Sequence, residues 1–124
     1  MSIIKDGLLY AKTHEWVKID GDVATVGVSD FAQKQLTDVV YVDLPDVGKE
    51  AHSGKPLLTI ESVKSAEDVF SPVDGTVQDV NKELADEPEK INKDPFGAWL
   101  VRIKLKNKPS GLMTPEEYKK FIGE

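Results

Sequence analysis

The chain contains no cysteine, which excludes disulfides, thiolate metal sites and any redox thiol supplied by the polypeptide itself. Any sulfur chemistry performed here must use borrowed sulfur. No apolar run approaches the roughly 18 residues of a membrane span, and the opening MSIIKDGLLY has neither a sustained apolar stretch nor an Arg-rich amphipathic pattern. The expectation is a cytoplasmic protein that does not engage a membrane, or one of the mitochondrial matrix if a transit peptide has been removed. Basic residues are the minority charge: 16 Lys and Arg against 22 Asp and Glu leave a net charge of −6. A nucleic-acid reader needs a basic face to release phosphate counterions, so this balance argues against that class and suits soluble partners with basic docking patches. The two histidines, His14 and His52, are far apart in sequence, and without cysteine a metal site would need carboxylates at unpatterned positions. No metal is expected. The sequence also lacks a nucleophile elbow, a phosphate-binding glycine loop, a zincin helix and a dinucleotide fingerprint. These absences describe a protein with no reactive centre of its own, and not an enzyme.

What is present fits one compact domain spanning residues 1–124, with 40% hydrophobic and 31% charged residues. The pattern is mainly β. EWVKIDGDVATVGV reads as a hairpin, with Asp20-Gly21 supplying the positive φ values of a tight two-residue turn. Asp30 followed by Gln33 can cap a short helix over FAQKQL, whose inner face offers Phe31, Ala32 and Leu36. VVYVDLP is a strand ended by Pro45. NKELADEPEKINKDPFG, interrupted by Pro88 and Pro95, predicts only short helical turns, and AWLVRIKLK a strand with Trp99, Val101, Ile103 and Leu105 on the core face. TPEEYKKFIGE predicts a C-terminal helix over about 114–122, with Thr114 at the N-cap, Pro115 at N1, Glu117 completing a capping box and Met113 stapling onto Tyr118. Short strands separated by turn signals favour a small sandwich or barrel-like β domain with helical trim.

Between these lies ESVKSAEDVFSPVDG. LLTIES alternates Leu58, Ile60 and Ser62 against Leu57, Thr59 and Glu61, and SAEDVF alternates Ala66, Asp68 and Phe70 against Ser65, Glu67 and Val69. Two strands therefore meet at Val63-Lys64 in a hairpin of about residues 57–71, whose tip suits a type I turn. Lysines are common on exposed turns. Here, however, two well-patterned strands hold the backbone rigid beneath a flexible stem, which is how a protein offers an amine for acylation by another enzyme with a carboxylate cofactor.

Taken with YAKTHEW and VGVSDFAQKQLTDVVYVDLPDVG upstream, and INKDPFGAWLVRIK and LMTPEEYKKF downstream, this run resembles the glycine cleavage system H protein family of lipoyl carriers. The likeness covers about Leu8 to Phe121, and ESVK followed by SPVDG is its most specific part. The resemblance implies a barrel-sandwich hybrid fold of lipoyl-domain type and lipoate in amide linkage on Lys64, the borrowed sulfur being the dithiolane. Biotin carriers use a similar hairpin but usually flank the lysine with methionines, whereas Val63 and Ser65 stand here.

In that family the protein is a shuttle. The arm takes up the aminomethyl group of glycine at glycine decarboxylase, passes it to the aminomethyltransferase, and is reoxidised by dihydrolipoyl dehydrogenase; a lipoate ligase or octanoyltransferase installs it. The family also implies a cleft for the loaded arm, with groups matching Thr13, Glu15 and Asp68. Its cargo is a cation, which carboxylates hold by charge-assisted hydrogen bonds. The alternative reading of each acid is a solvated surface charge, and His14 beside Trp16 reads as a packed structural histidine. The sequence departs from the family pattern at three places: Thr37 stands for the usual glycine, Ser65 for the usual alanine, and DPFGAWL is one residue short before Trp99. These departures leave open an H-like paralogue serving lipoate-dependent sulfur oxidation or lipoyl relay.

Overall fold

Period-two alternation over most of the chain produces strands, and turn residues set where each one stops. The computed structural model describes residues 1–124. In chain order the elements are β1 (Leu9–Tyr10), β2 (Glu15–Asp20), β3 (Val23–Val28), α1 (Asp30–Leu36), β4 (Val39–Asp43), β5 (Glu50–Ala51), β6 (Pro56–Ser62), β7 (Ala66–Phe70), β8 (Gly75–Val80), α2 (Glu83–Asp86), α3 (Lys90–Lys93), β9 (Val101–Leu105) and α4 (Pro115–Phe121). One sheet orders its strands β1-β2-β3-β9-β8-β5 and the other β4-β6-β7, with every pairing antiparallel. The fold is mainly β, with two sheets closing on each other and short helices at the margins, the last of them C-terminal. None of the helices is long and apolar enough to cross a membrane.

The two sheets share one core. Val17, Val26, Val77 and Ile103 from the larger sheet meet Leu58, Ile60 and Val69 from the smaller, with Leu84, Ile91 and Leu100 closing the side. Burying each such side chain contributes about 1.5–3 kcal/mol. A satellite cluster of Tyr10, Trp16 and Tyr118 lies outside this core, with Tyr10 and Tyr118 stacked at 4.6 Å. Trp16 lies flat across Gly27, where a Cβ would come within 2.5 Å of its ring. Only glycine permits that approach.

Three local expectations shift by a residue. The first hairpin pairs Asp20 with Val23, so its turn is Gly21-Asp22, and only Gly21 has positive φ. Glycine at the first central position matches a type II′ turn, which asks nothing unusual of Asp22. Helix α1 is capped by Ser29, whose hydroxyl accepts from the Ala32 amide at 3.1 Å. Asp30 lies one residue inside and is buried, accepting from the Ile3 amide at 2.8 Å and from Gln33 at 2.9 Å. Strand β9 begins only at Val101, and Leu100 rather than Trp99 enters the main core. Trp99 packs instead on the satellite cluster beneath the Arg102 guanidinium, 3.9 Å from its ring. The C-terminal helix forms as expected, with Thr114 and Glu117 exchanging both bonds of a capping box.

The shortened loop before Trp99 closes on Asp94, which accepts from the Gly97 amide at 3.1 Å, while Trp16 Nε1 donates to the Pro95 carbonyl at 3.1 Å. Thr37 has a plainer cost. It terminates α1 at φ 62 and ψ −150, a region that β-branched residues avoid. The Asn92 amide, donating to the Thr37 carbonyl at 2.7 Å, helps hold it there. Relieving strain of about 1–3 kcal/mol outweighs the roughly 0.4–1 kcal/mol that glycine adds to the freedom of the unfolded chain. Thr37→Gly is therefore expected to stabilise the protein by about 1 kcal/mol in chemical denaturation. An unchanged or lower stability would show that the site is not strained.

Candidate functional site

A cavity of about 590 Å³ opens between three walls: the turn joining β1 to β2, helix α1, and the β6–β7 hairpin. Its lining includes Thr13, Glu15, Lys64 and Asp68, so the structure gathers around one cavity all four residues singled out by sequence. A volume of this size lies in the range of small-molecule sites, roughly 300–1,000 Å³.

The hairpin presents Lys64 at the rim. Ser62, at the end of β6, donates its amide to the Ser65 carbonyl at 2.8 Å, and its hydroxyl accepts from the Lys64 and Ser65 amides, each at 3.1 Å. The Val63 amide donates to the Asp38 carbonyl at 2.9 Å, tying the tip to the segment after α1. Neither Val63 nor Lys64 has positive φ, so the turn is not of a primed type. On this fixed base the Lys64 amine is free: it enters no ion pair, and its one contact is the Gln35 carbonyl at 3.5 Å. Sequence reasoning passed over Ser62, although a serine two residues before a turn lysine is a recognised local hydrogen-bonding signal.

Glu15 lines the cavity from the start of β2. It is only 2% exposed, which rules out the alternative reading of it as a solvated surface charge. The chain reaches this geometry through a left-handed residue, His14 at φ 76, with the His14 amide donating to Ala11 and the Ala11 amide to Glu15, both at 2.9 Å. Thr13 donates its hydroxyl to Glu15 Oε1. Burial pushes the Glu15 carboxyl up from 4.5 to about 7, against the smaller opposing effects of the Thr13 hydroxyl and the Phe70 and Glu15 amides. His14 is packed, as expected: Nδ1 lies 2.9 Å from the Tyr118 hydroxyl, its ring touches Phe31, and burial lowers its pKa. His52 is exposed on the far side near Asp74, and no group of three His, Asp or Glu residues could hold a metal ion.

Asp68 is exposed and accepts from the Thr59 hydroxyl across the hairpin at 3.3 Å. Its neighbour Glu67, paired in register with buried Ile60, also lines the cavity. Glu67, not singled out from sequence, also accepts from the Ser65 hydroxyl at 3.0 Å.

Residues 8–124 match the family described as Glycine cleavage H-protein. The chain belongs to that family. It is 57% identical over 122 residues to a protein of Thermoplasma volcanium described as a probable glycine cleavage system H protein, covering 98% of this chain and 99% of that one. A glycine cleavage system H protein of Thermoanaerobacter sp. strain X514 is 49% identical, with 98% of each chain covered. Among solved structures, the crystal structure of a glycine cleavage system H protein from Mycobacterium marinum aligns with a TM-score of 0.91 at 33% identity, covering 98% of this chain and 100% of that one. Membership thus extends over the cleft, its three walls and the C-terminal helix that backs them.

The buried Glu15 sets a pH dependence for this H-family chain. An acid with a raised folded pKa keeps its proton after the unfolded chain has lost it, so stability is highest below about 4.5 and falls as pH rises to about 7. The loss is at most roughly 3 kcal/mol. His14, with its pKa lowered by burial, gives a slope of opposite sign that is common to wild type and a Glu15 variant. Urea denaturation is expected to show Glu15→Gln gaining stability relative to wild type across this interval, with the difference level above it. Parallel stability curves would mean that Glu15 titrates as a solvated acid.

Proposed function

We propose that the chain is the lipoyl carrier of the glycine cleavage system, acting as one domain with no catalysis of its own. The observation that carries this reading is the convergence of a free lysine amine, presented by a clamped hairpin, with a buried acid in a cavity large enough for a slender arm. The donor set fits the group. Lys64 would hold lipoate as a neutral amide, and the dithiolane would supply the redox-active sulfur that takes up and gives up the aminomethyl group of glycine.

The chain's own residues shelter that cargo. In the resting protein burial keeps much of Glu15 protonated as pH approaches neutrality; a cation entering the cavity favours the carboxylate, which the Thr13 hydroxyl also supports. The resulting bond is charge-assisted and shielded from water. Asp68 adds a second carboxyl on the exposed side of the hairpin. Ser62 keeps the backbone under Lys64 still, so the range of the arm is set by the arm rather than by the loop.

The partners proposed are glycine decarboxylase, the aminomethyltransferase, dihydrolipoyl dehydrogenase, and the lipoate ligase or octanoyltransferase that acylates Lys64. The cytoplasm is the compartment proposed for the carrier. Lys64→Arg keeps the positive charge but cannot be acylated, so it is expected to take up no lipoyl mass while melting as wild type does. With purified glycine decarboxylase, lipoylated wild type should support exchange of carbon dioxide into the glycine carboxyl, and Lys64→Arg should not. A lipoyl mass on another lysine, or exchange with the variant, would refute the assignment of Lys64.

A further inference from the structure

The C-terminal helix contributes one side chain to the interior, and the proposed carrier role gives that residue no task. Tyr118 is fully buried, yet it belongs to the satellite cluster and not to the core between the sheets. Its hydroxyl has two partners, His14 Nδ1 at 2.9 Å and Ser29 Oγ at 2.7 Å. These lie on different walls of the cleft. His14 belongs to the turn that delivers Glu15, and Ser29 caps helix α1 by accepting from the Ala32 amide. The Ser29 amide also donates to the His14 carbonyl at 2.9 Å, so turn and helix start are joined at two levels.

We propose that Tyr118 is a positioning residue for the cleft: its hydroxyl locks the His14 turn to the start of helix α1 and thereby fixes the cavity in which Glu15 meets the loaded arm. Two features make this more than packing. His14 is held at φ 76, a conformation that a non-glycine residue keeps only when its surroundings impose it. The surroundings here are the Tyr118 hydroxyl, with Phe31 at 4.9 Å and Phe121 at 5.9 Å from the imidazole, the latter also on α4. The phenol is itself immobile. It stacks on Tyr10 at 4.6 Å and 7°, and its helix begins at a complete capping box. Hydroxyl chemistry suits the position, because Ser29 and Tyr118 can each donate or accept, and the chain is satisfied with either tautomer of His14. Phenylalanine at 118 would keep the stack and leave His14 Nδ1 without its buried partner.

The inference rests on the sheltering of the loaded arm, so the experiment separates the two. Tyr118→Phe is compared with wild type, with Glu15→Gln, and with Ile103→Val, which trims the main core on β9 away from the cleft. The first readout uses unmodified protein: the carboxyl titration of Glu15, followed by carbon NMR. It is expected to move from about 7 towards 4.5 in Tyr118→Phe as water reaches the loosened cleft, and to stay in place in Ile103→Val. The second readout is the non-enzymatic release of cargo from lipoylated, loaded protein without acceptor. Release should quicken about tenfold in Glu15→Gln and by a smaller but clear factor, about threefold or more, in Tyr118→Phe. Ile103→Val should release at the wild-type rate. If Glu15→Gln does not quicken release, the sheltering reading fails and takes this inference with it. If Glu15→Gln releases faster while either readout stays at wild type in Tyr118→Phe, or shifts equally in Ile103→Val, the positioning role is overturned alone.

Discussion

The site depends on one carboxyl taken out of water. Glu15 reaches the interior because His14 takes a left-handed conformation between β1 and β2, and because Trp16 can lie flat on Gly27 as β2 runs on into the sheet. Neither condition is favourable alone. A non-glycine residue at positive φ is strained, and an ionised carboxylate buried with a single hydroxyl partner is costly. The protein accommodates the second by raising the Glu15 pKa to about 7, so that the carboxyl stays largely neutral well above the usual carboxylate range. It accommodates the first by bonding the turn to Ser29 and Tyr118.

Much of this was legible in the sequence. Strand alternation, the hairpin meeting at Val63-Lys64 and the capping box at Thr114 all express short-range rules that the rest of the fold does not overrule. The misplacements were of a single residue, at the Gly21-Asp22 turn, the Ser29 cap and Leu100, because neighbouring residues offered equivalent local signals. Ser29 and Asp30 are both good N-caps by type; a tertiary bond from the Ile3 amide and a local one from Gln33 occupy the Asp30 carboxylate and leave the cap to Ser29. Glu15 is different in kind. Its place in the cleft came from the family resemblance, but glutamate is so seldom buried that nothing in the sequence signalled how completely it would leave water. Tyr118 was read only as a staple, since nothing local says that its hydroxyl would find His14, 104 positions away.

Rigidity and mobility are divided sharply around the cleft. Everything below Lys64 is fixed: Ser62 clamps the turn, Asp38 anchors Val63, and Tyr118 secures the opposite wall. The lysine stem is the one part with freedom. A carrier serving several enzymes, as proposed here, would need this division, because each partner would have to find the arm on the same platform.

A buried acid with a raised pKa would also make the proposed shelter selective. A charge-assisted hydrogen bond contributes about 1.5–3 kcal/mol, a preference of roughly ten- to a hundredfold for the sheltered position. That preference is available only to a cationic occupant, since an uncharged arm supplies nothing to favour ionisation of Glu15. In the proposed carrier role, the same group would hold the loaded arm and release the unloaded one. Its strength is bounded from above as well. A fixed carboxylate with several donors would hold a cation less tightly, its lone pairs already satisfied, and would gain nothing from desolvation. Glu15, whose opposing hydrogen bonds from Thr13 and the Phe70 and Glu15 amides are outweighed by burial, would keep capacity for a cationic cargo in the proposed role and still let it leave.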